Sequence, residues 1–213
     1  MTLIIDYDAG NLRSVQRACA EVGLNARISN EASAVARADR IIFPGVGAAG
    51  SAMRSLQANG LDKALLDAFK AGVPVLGICL GMQISLSHSE ENDTTTLGLI
   101  DGEVRRFRLD DPALKIPHMG WNEVRLVKPH PVLAKVQPGD EFYFVHAYYP
   151  APTERSAVYA QATYESTFCC ALGRDNYFGT QFHPEKSGRV GLELLACFAA
   201  WDGTLSPEVR DAQ

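Results

Sequence analysis

The sequence contains no long hydrophobic run and no concentrated positive charge, and these absences exclude several classes of protein. No apolar segment approaches the roughly 18 residues that a helix needs to cross a bilayer. The formal net charge is -5, and the longest basic run is Arg105-Arg106, which disfavours a nucleic-acid-binding surface. We therefore expect neither a membrane nor a nucleic acid as a partner.

The sequence also lacks cysteine pairs at the spacing of a zinc site or a small disulfide scaffold. No Cys-x-x-Cys occurs, and the five cysteines are irregularly spaced: Cys19, Cys79, Cys169, Cys170 and Cys197. We therefore expect reduced thiols, no metal site and a cytoplasmic location. Residues 1–6 fit that location, because they lack the charged region and long apolar core of a signal peptide.

What is present is an ordinary globular composition, with 46% hydrophobic and 21% charged residues in a chain of 213. In the first half, short apolar strands alternate with segments of helical periodicity. Strands are predicted at Thr2–Tyr7, Leu24–Ser29, Arg40–Phe43 and the run that ends at Cys79; helices are predicted over 12–22, 32–38, 51–57 and 61–70. This alternation favours an α/β fold with a mostly parallel central sheet and flanking helices.

The second half changes to consecutive strands without helices between them. Strands are predicted over 103–107, 123–127, 141–146, 156–163, 168–173 and 177–182, with a polar loop over 89–96. Such strands favour an antiparallel extension of the parallel core. A helix over Ser187–Trp201 closes the fold, and the polar tail from Thr204 is expected to fray. Because no repeat or linker occurs, residues 1–213 are predicted to form a single domain.

Four of the cysteines are predicted to be packing residues. Cys19 and Cys197 fall on the apolar stripes of two helices, which indicates positions in the core. Cys169 and Cys170 are neighbours in one strand, so their side chains should point to opposite faces of the sheet.

The fifth cysteine, Cys79, lies in a motif of a different kind. An apolar run ends at Gly77, Cys79 follows two residues later and Gly81 two after that, and a helix is predicted from Leu80 to about Ser87. This is the cysteine form of the G-x-S-x-G elbow, in which a sharp strand-to-helix turn presents a nucleophile. A helix N-terminus also favours the thiolate form. The motif alone leaves a buried structural cysteine as an equal alternative.

A second glycine-rich stretch follows another predicted strand. The strand Arg40–Phe43 stops at Pro44-Gly45-Val46-Gly47, and the nucleophile strand stops at Cys79. In parallel sheets the carboxyl ends of strands meet at one edge, where sites form. We therefore expect the two stretches to be neighbours, although a simple glycine-rich turn is the alternative.

A cysteine nucleophile needs a base and a group that orients the base. Of the five histidines, only His183 has a carboxylate two residues away at the end of a predicted strand, in His183-Pro184-Glu185. Pro184 biases His183 toward extended backbone, in which the side chains of residues 183 and 185 leave on the same side. Glu185 is then expected to hold His183 in the tautomer that accepts the thiol proton.

Together these motifs resemble those of the class I, or triad, glutamine amidotransferases. Several stretches are similar to the glutaminase subunits of imidazole glycerol phosphate synthase: Asp6–Asn11, Pro117–Asn122, Tyr143–Tyr149 and Gln181–Ser187. The resemblance runs from about Leu3 to Leu195. It departs from the family at Ala147, where the family usually has a hydroxyl residue.

The resemblance implies hydrolysis of glutamine to glutamate and ammonia. Cys79 would attack the side-chain amide carbon to form a glutamyl thioester. His183 would protonate the leaving ammonia and later activate water, with Glu185 as its orienting group. No metal or organic cofactor is implied.

The resemblance also implies which residues bind the substrate. The Leu80 N–H and an amide of Gly45, Val46 or Gly47 would hold the oxyanion. The glutamine backbone would be fixed by residues near the elbow and in a later strand: Gly81, Gln83, Ala147 and Tyr148. Ala147 would act through its backbone amide, so the missing hydroxyl matters little.

Finally, the resemblance implies a partner that uses the ammonia. In the family this is a (βα)₈-barrel cyclase that makes imidazole glycerol phosphate and an aminoimidazole carboxamide ribotide, and the two subunits form a heterodimer. Four residues are expected near the shared face: Asn11, Met119, Trp121 and Lys186. A core position for Trp121 and a solvated charge for Lys186 are the equal alternatives.

Three other interpretations remain from the sequence. The nearest is the glutaminase subunit of anthranilate or aminodeoxychorismate synthase, which the two stretches at 117–122 and 181–187 disfavour. A Cys peptidase or DJ-1-like protein would need neither Gln83 nor the His183–Glu185 pair. A non-enzymatic binding module would leave Cys79, His183 and Glu185 as coincidence.

Overall fold

The computed structural model describes residues 1–8 and 10–205. The strands are β1 (Thr2–Ile5), β2 (Ala26–Ser29), β3 (Arg40–Gly45), β4 (Val75–Cys79), β5 (His88–Ser89), β6 (Thr94–Thr95), β7 (Gly102–Arg106), β8 (His118–Glu123), β9 (Arg125–Leu126), β10 (Glu141–His146), β11 (Tyr148–Pro152), β12 (Val158–Tyr164), β13 (Ser166–Arg174) and β14 (Tyr177–Thr180). The helices are α1 (Leu12–Glu21), α2 (Ala32–Val35), α3 (Ala49–Ala58), α4 (Leu61–Lys70), α5 (Leu80–Gln83) and α6 (Gly188–Ala200).

An eight-stranded sheet in the order β2-β1-β3-β4-β14-β13-β12-β9 forms the centre of the fold. The pairs from β2 through β14 are parallel. The pairs from β14 through β9 are antiparallel. This arrangement confirms the α/β class with a mostly parallel centre and an antiparallel extension.

The remaining strands of the second half do not join this sheet, contrary to expectation. Strands β10 and β8 form a two-stranded sheet, and β11, β7, β5 and β6 form a four-stranded one. Strand β10 alternates buried with exposed or half-buried residues, and β8 has His118 as its one buried residue, whereas β4 is buried throughout. A strand with one wet face cannot occupy the centre of a sheet that is covered on both faces.

The sequence prediction also missed or misplaced several of these peripheral strands. The predicted strand over 123–127 is only Arg125–Leu126, while β8 and β11 were not predicted. The predicted polar loop over 89–96 contains β6 and the end of β5. These strands are short or carry proline and glycine, so their sequence pattern is weak.

Two apolar cores lie on opposite faces of the central sheet. Helices α3 and α4 contribute to one core, and α1 and α6 contribute to the other. Cys169 lies in the first core and Cys170 in the second, which confirms that their side chains point to opposite faces. Cys19 is fully buried as expected.

Cys197 is half-buried rather than part of the core as predicted. Its neighbours Leu194, Leu195 and Phe198 are fully buried and define the stripe of α6 that faces the sheet. Because successive helical residues are about 100° apart, Cys197 falls at the edge of that stripe.

Among the described residues, no helix combines the length and the apolar character needed to span a bilayer. The predicted fraying of the tail concerns residues 206–213, which lie outside the described residues.

Candidate active site

Cys79 lies at the turn between β4 and α5 and has strained backbone angles, with φ 54° and ψ -108°. Glycines make the close packing of this turn feasible. A Cβ at Gly77 would lie 2.0 Å from the Tyr177 hydroxyl, and one at Gly81 would lie 1.8 Å from the Phe43 carbonyl oxygen. A strained residue between a strand and a helix is the geometry of a nucleophile elbow, as the sequence predicted.

The helix after the elbow is much shorter than predicted. It spans Leu80–Gln83, not Leu80 to Ser87. The backbone carbonyls of Ile84 and Leu86 accept hydrogen bonds from Leu97 and Gly98, so a neighbouring segment replaces the continuing helix. Stabilisation of a thiolate by the helix dipole is therefore limited to a single turn.

His183 and Glu185 form a buried pair. Glu185 Oε1 lies 2.8 Å from His183 Nδ1, and both side chains are 3% exposed. His183 is extended as predicted, but Glu185 lies in the 3-10 turn Pro184–Lys186 and not in extended chain. The predicted contact therefore forms through a tight turn. The His183 backbone is held by its N–H to the Tyr143 carbonyl, at 2.9 Å.

The electrostatics of this pair suit a proton-transfer group. Burial lowers the pKa of His183, but Cys79 and Glu185 outweigh burial and raise it to about 10. Glu185 occupies Nδ1, and among the described residues Nε2 of His183 has no hydrogen-bond partner. Nε2 is therefore the nitrogen that is free to exchange a proton with Cys79 or a substrate.

The glycine-rich stretch reaches the nucleophile, as predicted. In the parallel pair of β3 and β4, Gly45 lies directly opposite Cys79. A Cβ at Gly45 would lie 1.8 Å from the hydroxyl of Tyr7, so only glycine fits there. Gly47 has φ 103°, a conformation that favours glycine, and Val46 is 43% exposed.

A cavity of about 290 Å³ opens beside the elbow. Its lining includes Val46, Gly47, Cys79, Leu80, Gln83, Glu91, Pro117, Val145, His146, Ala147 and Tyr148. Six of the predicted oxyanion and substrate residues therefore line one cavity together with the nucleophile. Gly45 and Gly81 do not line it; they pack behind it against Tyr7 and Phe43.

Sequence analysis missed Glu91 as a site residue. Its carboxylate accepts a hydrogen bond from the Ala49 N–H at 2.7 Å, and among the described residues it is the one carboxylate that lines the cavity. Such a group can bind an ammonium group of a substrate. Glu91 lies in a polar segment without periodicity, so no pattern in the sequence singled it out.

Sequence analysis also missed the amide of Gln181, which is fully buried. Its Nε2 lies 3.6 Å from Cys79 Sγ, and its Oε1 accepts from Gln83 Nε2 at 3.0 Å. Gln83 Nε2 also donates to the Tyr148 carbonyl at 2.8 Å. Gln83 therefore has only its oxygen left for a substrate.

Two histidines form a further buried chain beside the cavity. His118 Nδ1 lies 3.0 Å from His146 Nε2, and His146 Nδ1 lies 2.8 Å from the Tyr148 carbonyl. Burial lowers the pKa of His118 to about 4 and that of His146 to about 3, so both are neutral at pH 7. Both imidazoles are therefore weaker proton acceptors than His183, whose pKa is raised.

Three of the four predicted interface residues cluster on one surface. Met119 and Trp121 of β8 are 61% and 54% exposed. The ring of Tyr143 contacts Trp121, and the Lys186 ammonium lies 5.8 Å from the centre of the same ring. Trp121 is thus not a core residue. Asn11 instead caps α1, with its side chain accepting from the Ser14 N–H.

In chemical terms the site combines a thiol on a strained turn, a buried imidazole with one free nitrogen, and a carboxylate that orients it. Such a set can attack a carbonyl carbon and form an acyl-enzyme. Among the described residues, no group of three or more His, Cys, Asp or Glu could hold a metal ion.

The sequence matches known proteins along nearly its whole length. The family described as "Glutamine amidotransferase class-I" matches residues 3–199. The protein named "Imidazole glycerol phosphate synthase subunit HisH" from Nitratidesulfovibrio vulgaris is 48% identical over 206 residues, 94% of this chain and 97% of that protein. Its namesake from Chromobacterium violaceum is 44% identical over 209 residues, 95% of this chain and 98% of that protein.

Solved structures share the fold at low identity. The structure titled "Structure of PurLQS from Thermotoga maritima" has a TM-score of 0.73 at 16% identity, covering 93% of this chain and 97% of that chain. A structure titled "Crystal structure of glutamine amidotransferase" has a TM-score of 0.72 at 14% identity, covering 92% and 98%. At such identities the likeness concerns the fold alone.

Proposed function

Because the chain belongs to the class I glutamine amidotransferase family, we propose that it is the glutaminase subunit of an imidazole glycerol phosphate synthase. It hydrolyses glutamine to glutamate and ammonia. It delivers the ammonia to a cyclase subunit, which forms imidazole glycerol phosphate and an aminoimidazole carboxamide ribotide in histidine biosynthesis. The relatives at 44–48% identity carry the name of this synthase, which favours it over anthranilate synthase and over peptidase or DJ-1-like alternatives.

The observation that carries the proposal is the arrangement of Cys79, His183 and Glu185. Cys79 Sγ attacks the side-chain amide carbon of glutamine, and His183 Nε2 gives its proton to the leaving ammonia. His183 then takes a proton from water, which attacks the thioester and releases glutamate. Glu185 holds Nδ1 and stabilises the imidazolium through the 2.8 Å contact.

The oxyanion of each tetrahedral intermediate lies at the start of α5. The Leu80 N–H is one donor, and an amide of the stretch Gly45–Gly47 is the other. The support for the second donor is the register that sets Gly45 opposite Cys79. Donors of this kind are each worth about 3–4 kcal/mol in the transition state.

The cavity supplies the groups that a free amino acid requires. Glu91 binds the α-ammonium, and the backbone amides of Ala147 and Tyr148 bind the carboxylate end. Gln83 contributes its oxygen, because both of its amide hydrogens are already used. Support for this placement is that all four residues line the cavity with Cys79.

The ammonia acceptor is a separate cyclase subunit with a (βα)₈ barrel, bound as a heterodimer. It binds on the surface that carries Met119, Trp121 and Lys186, and its contact reaches Asn11 at the start of α1. Support for this surface is the exposure of two large apolar side chains, Met119 and Trp121, next to a cation. We also propose a cytoplasmic location, which is supported by five free cysteines.

The test is glutamine hydrolysis with and without the cyclase subunit and its nucleotide substrate. We expect slow hydrolysis by the chain alone and a strong increase in the complete mixture. Cys79→Ala should abolish glutamine-dependent product formation, while added ammonium salt should still support the cyclase. Equal rates with and without the cyclase would contradict the partner, and residual glutamine turnover by Cys79→Ala would contradict the nucleophile.

A further inference from the structure

The amide of Gln181 contacts the nucleophile, and the mechanism above gives it no role. Gln181 Nε2 lies 3.6 Å from Cys79 Sγ, within hydrogen-bond distance for sulfur, and the side chain is fully buried. The contact follows from the sheet. Strand β14 runs parallel to β4 with Gly179 opposite Gly77, so two residues further along Gln181 falls beside Cys79.

The orientation of this amide is determined by a backbone carbonyl two hydrogen bonds away. The Tyr148 carbonyl can only accept, so the Gln83 atom 2.8 Å from it must be the NH₂ group. That NH₂ group also lies 3.0 Å from Gln181, so the Gln181 atom that faces it must be the oxygen. The NH₂ group of Gln181 therefore faces Cys79 Sγ, and its oxygen faces Gln83.

The carbonyl at the start of this chain is itself held from the other side. His146 Nδ1 donates to the Tyr148 oxygen at 2.8 Å, which leaves His146 Nε2 as an acceptor for His118 Nδ1–H at 3.0 Å. His118 Nε2 in turn accepts from Asn122 at 3.3 Å. Asn122, His118 and His146 therefore donate in sequence toward the Tyr148 oxygen from one side, and Gln83 donates to the same oxygen from the other.

We propose that Gln181 is a positioning residue that donates a hydrogen bond to the Cys79 thiolate, and that Gln83 sets the direction of this bond. The proposal deepens the proposed function, because it concerns the nucleophile of the same reaction. It also explains why Gln83 lies so close to the site although its NH₂ group cannot reach a substrate. The amide hydrogens of Gln83 donate to the Gln181 oxygen and to the Tyr148 carbonyl.

The physical effect of the Gln181 hydrogen bond is to favour the thiolate over the thiol. A thiolate accepts a hydrogen bond far more strongly than a neutral thiol does. Because the site is buried, this charge-assisted bond stabilises the thiolate more than it would in water. The bond also holds Sγ at a defined position on the strained turn. Helix α5 contributes little to this effect, because it has only four residues.

The experiment measures the rate at which iodoacetamide alkylates Cys79 as a function of pH. Mass spectrometry of the Cys79 peptide in the full-length chain reports this rate, and the half-buried Cys197 serves as an internal reference. The variants are Gln181→Met, which lacks the donor at similar volume, and Gln181→Glu, which places an acceptor beside the thiolate. Gln57→Glu on the exposed face of α3 is the matched charge control.

We expect Gln181→Met to slow alkylation of Cys79 at pH 7 by about tenfold and to move its pH midpoint upward. Gln181→Glu should move the midpoint further, because a carboxylate repels the thiolate. Gln83→Met should shift it in the same direction, and the double variant Gln83→Met, Gln181→Met should shift it no further than Gln181→Met alone. The pH dependence of Cys197 alkylation should be unchanged in every variant. Gln57→Glu should leave the pH midpoint of Cys79 alkylation unchanged.

An unchanged Cys79 midpoint in a folded Gln181→Met would overturn the proposal, and folding is checked by thermal melting. If that variant does not fold, an unchanged midpoint in Gln83→Met overturns it equally. The readout needs neither glutamine nor a cyclase. A chain that fails to hydrolyse glutamine would therefore contradict the proposed function and leave the role of Gln181 measurable.

Discussion

Glu185 Oε1 lies 2.8 Å from Nδ1 of His183 in a pocket where both side chains are 3% exposed. The contact assigns one ring nitrogen to an orienting role and leaves Nε2 free for proton transfer. Because the pair is shielded from water, the carboxylate acts on the imidazole with little screening. Glu185 therefore orients the His183 ring and favours its charged form.

We expect Glu185→Gln to lower kcat for glutamine by a factor on the order of 10²–10⁴, the range typical of acid–base catalysis. The amide loses the negative charge that stabilises the imidazolium, and its NH₂ group favours the wrong tautomer of His183. Steady-state glutaminase assays with the cyclase subunit measure the effect. Glu193→Gln on α6 is the control, since Glu193 pairs with Arg189. A wild-type kcat in Glu185→Gln would remove Glu185 from the mechanism.

The pKa of His183 should depend on Cys79. Burial lowers this pKa, whereas Cys79 and Glu185 raise it to about 10. We expect Cys79→Ala to lower it, because the variant removes the largest raising interaction and keeps the burial. NMR titration of labelled imidazole reports the midpoint. A midpoint as high in Cys79→Ala as in the wild type would show that the thiolate does not interact with His183.

The raised pKa of His183 also makes the free energy of unfolding depend on pH. Because the folded pKa of about 10 lies above the ordinary value of 6.5, the contribution of His183 is full below pH 6.5. It is lost as the pH rises from 6.5 to about 10. Urea unfolding over this range should show a shallower loss in Cys79→Ala than in the wild type.

Tyr7 and Tyr177 should respond differently to loss of the hydroxyl. Among the described residues the Tyr7 hydroxyl is buried without a partner, whereas the Tyr177 hydroxyl donates to the Gly81 carbonyl at 3.2 Å. We expect Tyr7→Phe to leave the free energy of unfolding unchanged or to raise it. Tyr177→Phe should lower it by about 1 kcal/mol. Chemical denaturation measures both, and equal losses would contradict the assignment.

A methyl group at Gly45 should destabilise the fold less when Tyr7 lacks its hydroxyl. A Cβ at Gly45 would lie 1.8 Å from the Tyr7 hydroxyl but 3.0 Å from the ring carbon that carries it. We expect Gly45→Ala to destabilise the fold, and Tyr7→Phe in the same chain to restore part of the loss. The non-additivity of the double-mutant cycle is the measurement. Simple additivity would mean that the two residues do not make the contact.

His130 should make the fold sensitive to acid. Burial, with a smaller contribution from Lys128, lowers the pKa of His130 to about 3. Because the folded value lies below 6.5, stability is lost as the pH falls from 6.5 toward 3. We expect His130→Asn, which keeps an acceptor for the Val132 N–H, to flatten this dependence by up to about 1.4 kcal/mol per pH unit. Urea unfolding at several pH values measures the slope, and an unchanged slope would mean that His130 titrates normally.

The close approach of the candidate catalytic residues could be predicted from the sequence because they lie in short local motifs. Gly77, Cys79 and Gly81 are within five residues, and His183 and Glu185 are within three, so local backbone geometry suffices to bring each set together. The motif predicted the His183–Glu185 contact correctly although the predicted extended backbone was wrong, since Glu185 reaches His183 through a 3-10 turn. The parallel sheet was predictable for the same reason, because each strand and helix has its own period.

The length of α5 and the peripheral sheets were not predictable in this way. Residues 84–87 have an apolar pattern compatible with a helix, but backbone N–H groups of the segment near Leu97 donate hydrogen bonds to their carbonyls. Strand β8 is defined by its partner β10, with His118 opposite His146, rather than by its own residues. Tertiary hydrogen bonds therefore outweighed local preference in both places.

The sequence by itself determined the elbow at Cys79 and the His183–Glu185 contact, because each depends on residues that are close along the chain. The sequence also placed the stretch Gly45–Gly47 near Cys79, but only the tertiary structure decided which residues lie directly beside Cys79. The register of β3 and β14 against β4 sets Gly45 on one side and brings Gln181 to the other. Residues separated by 34 and 102 positions meet at one sulfur because strand register, a long-range property, aligns them.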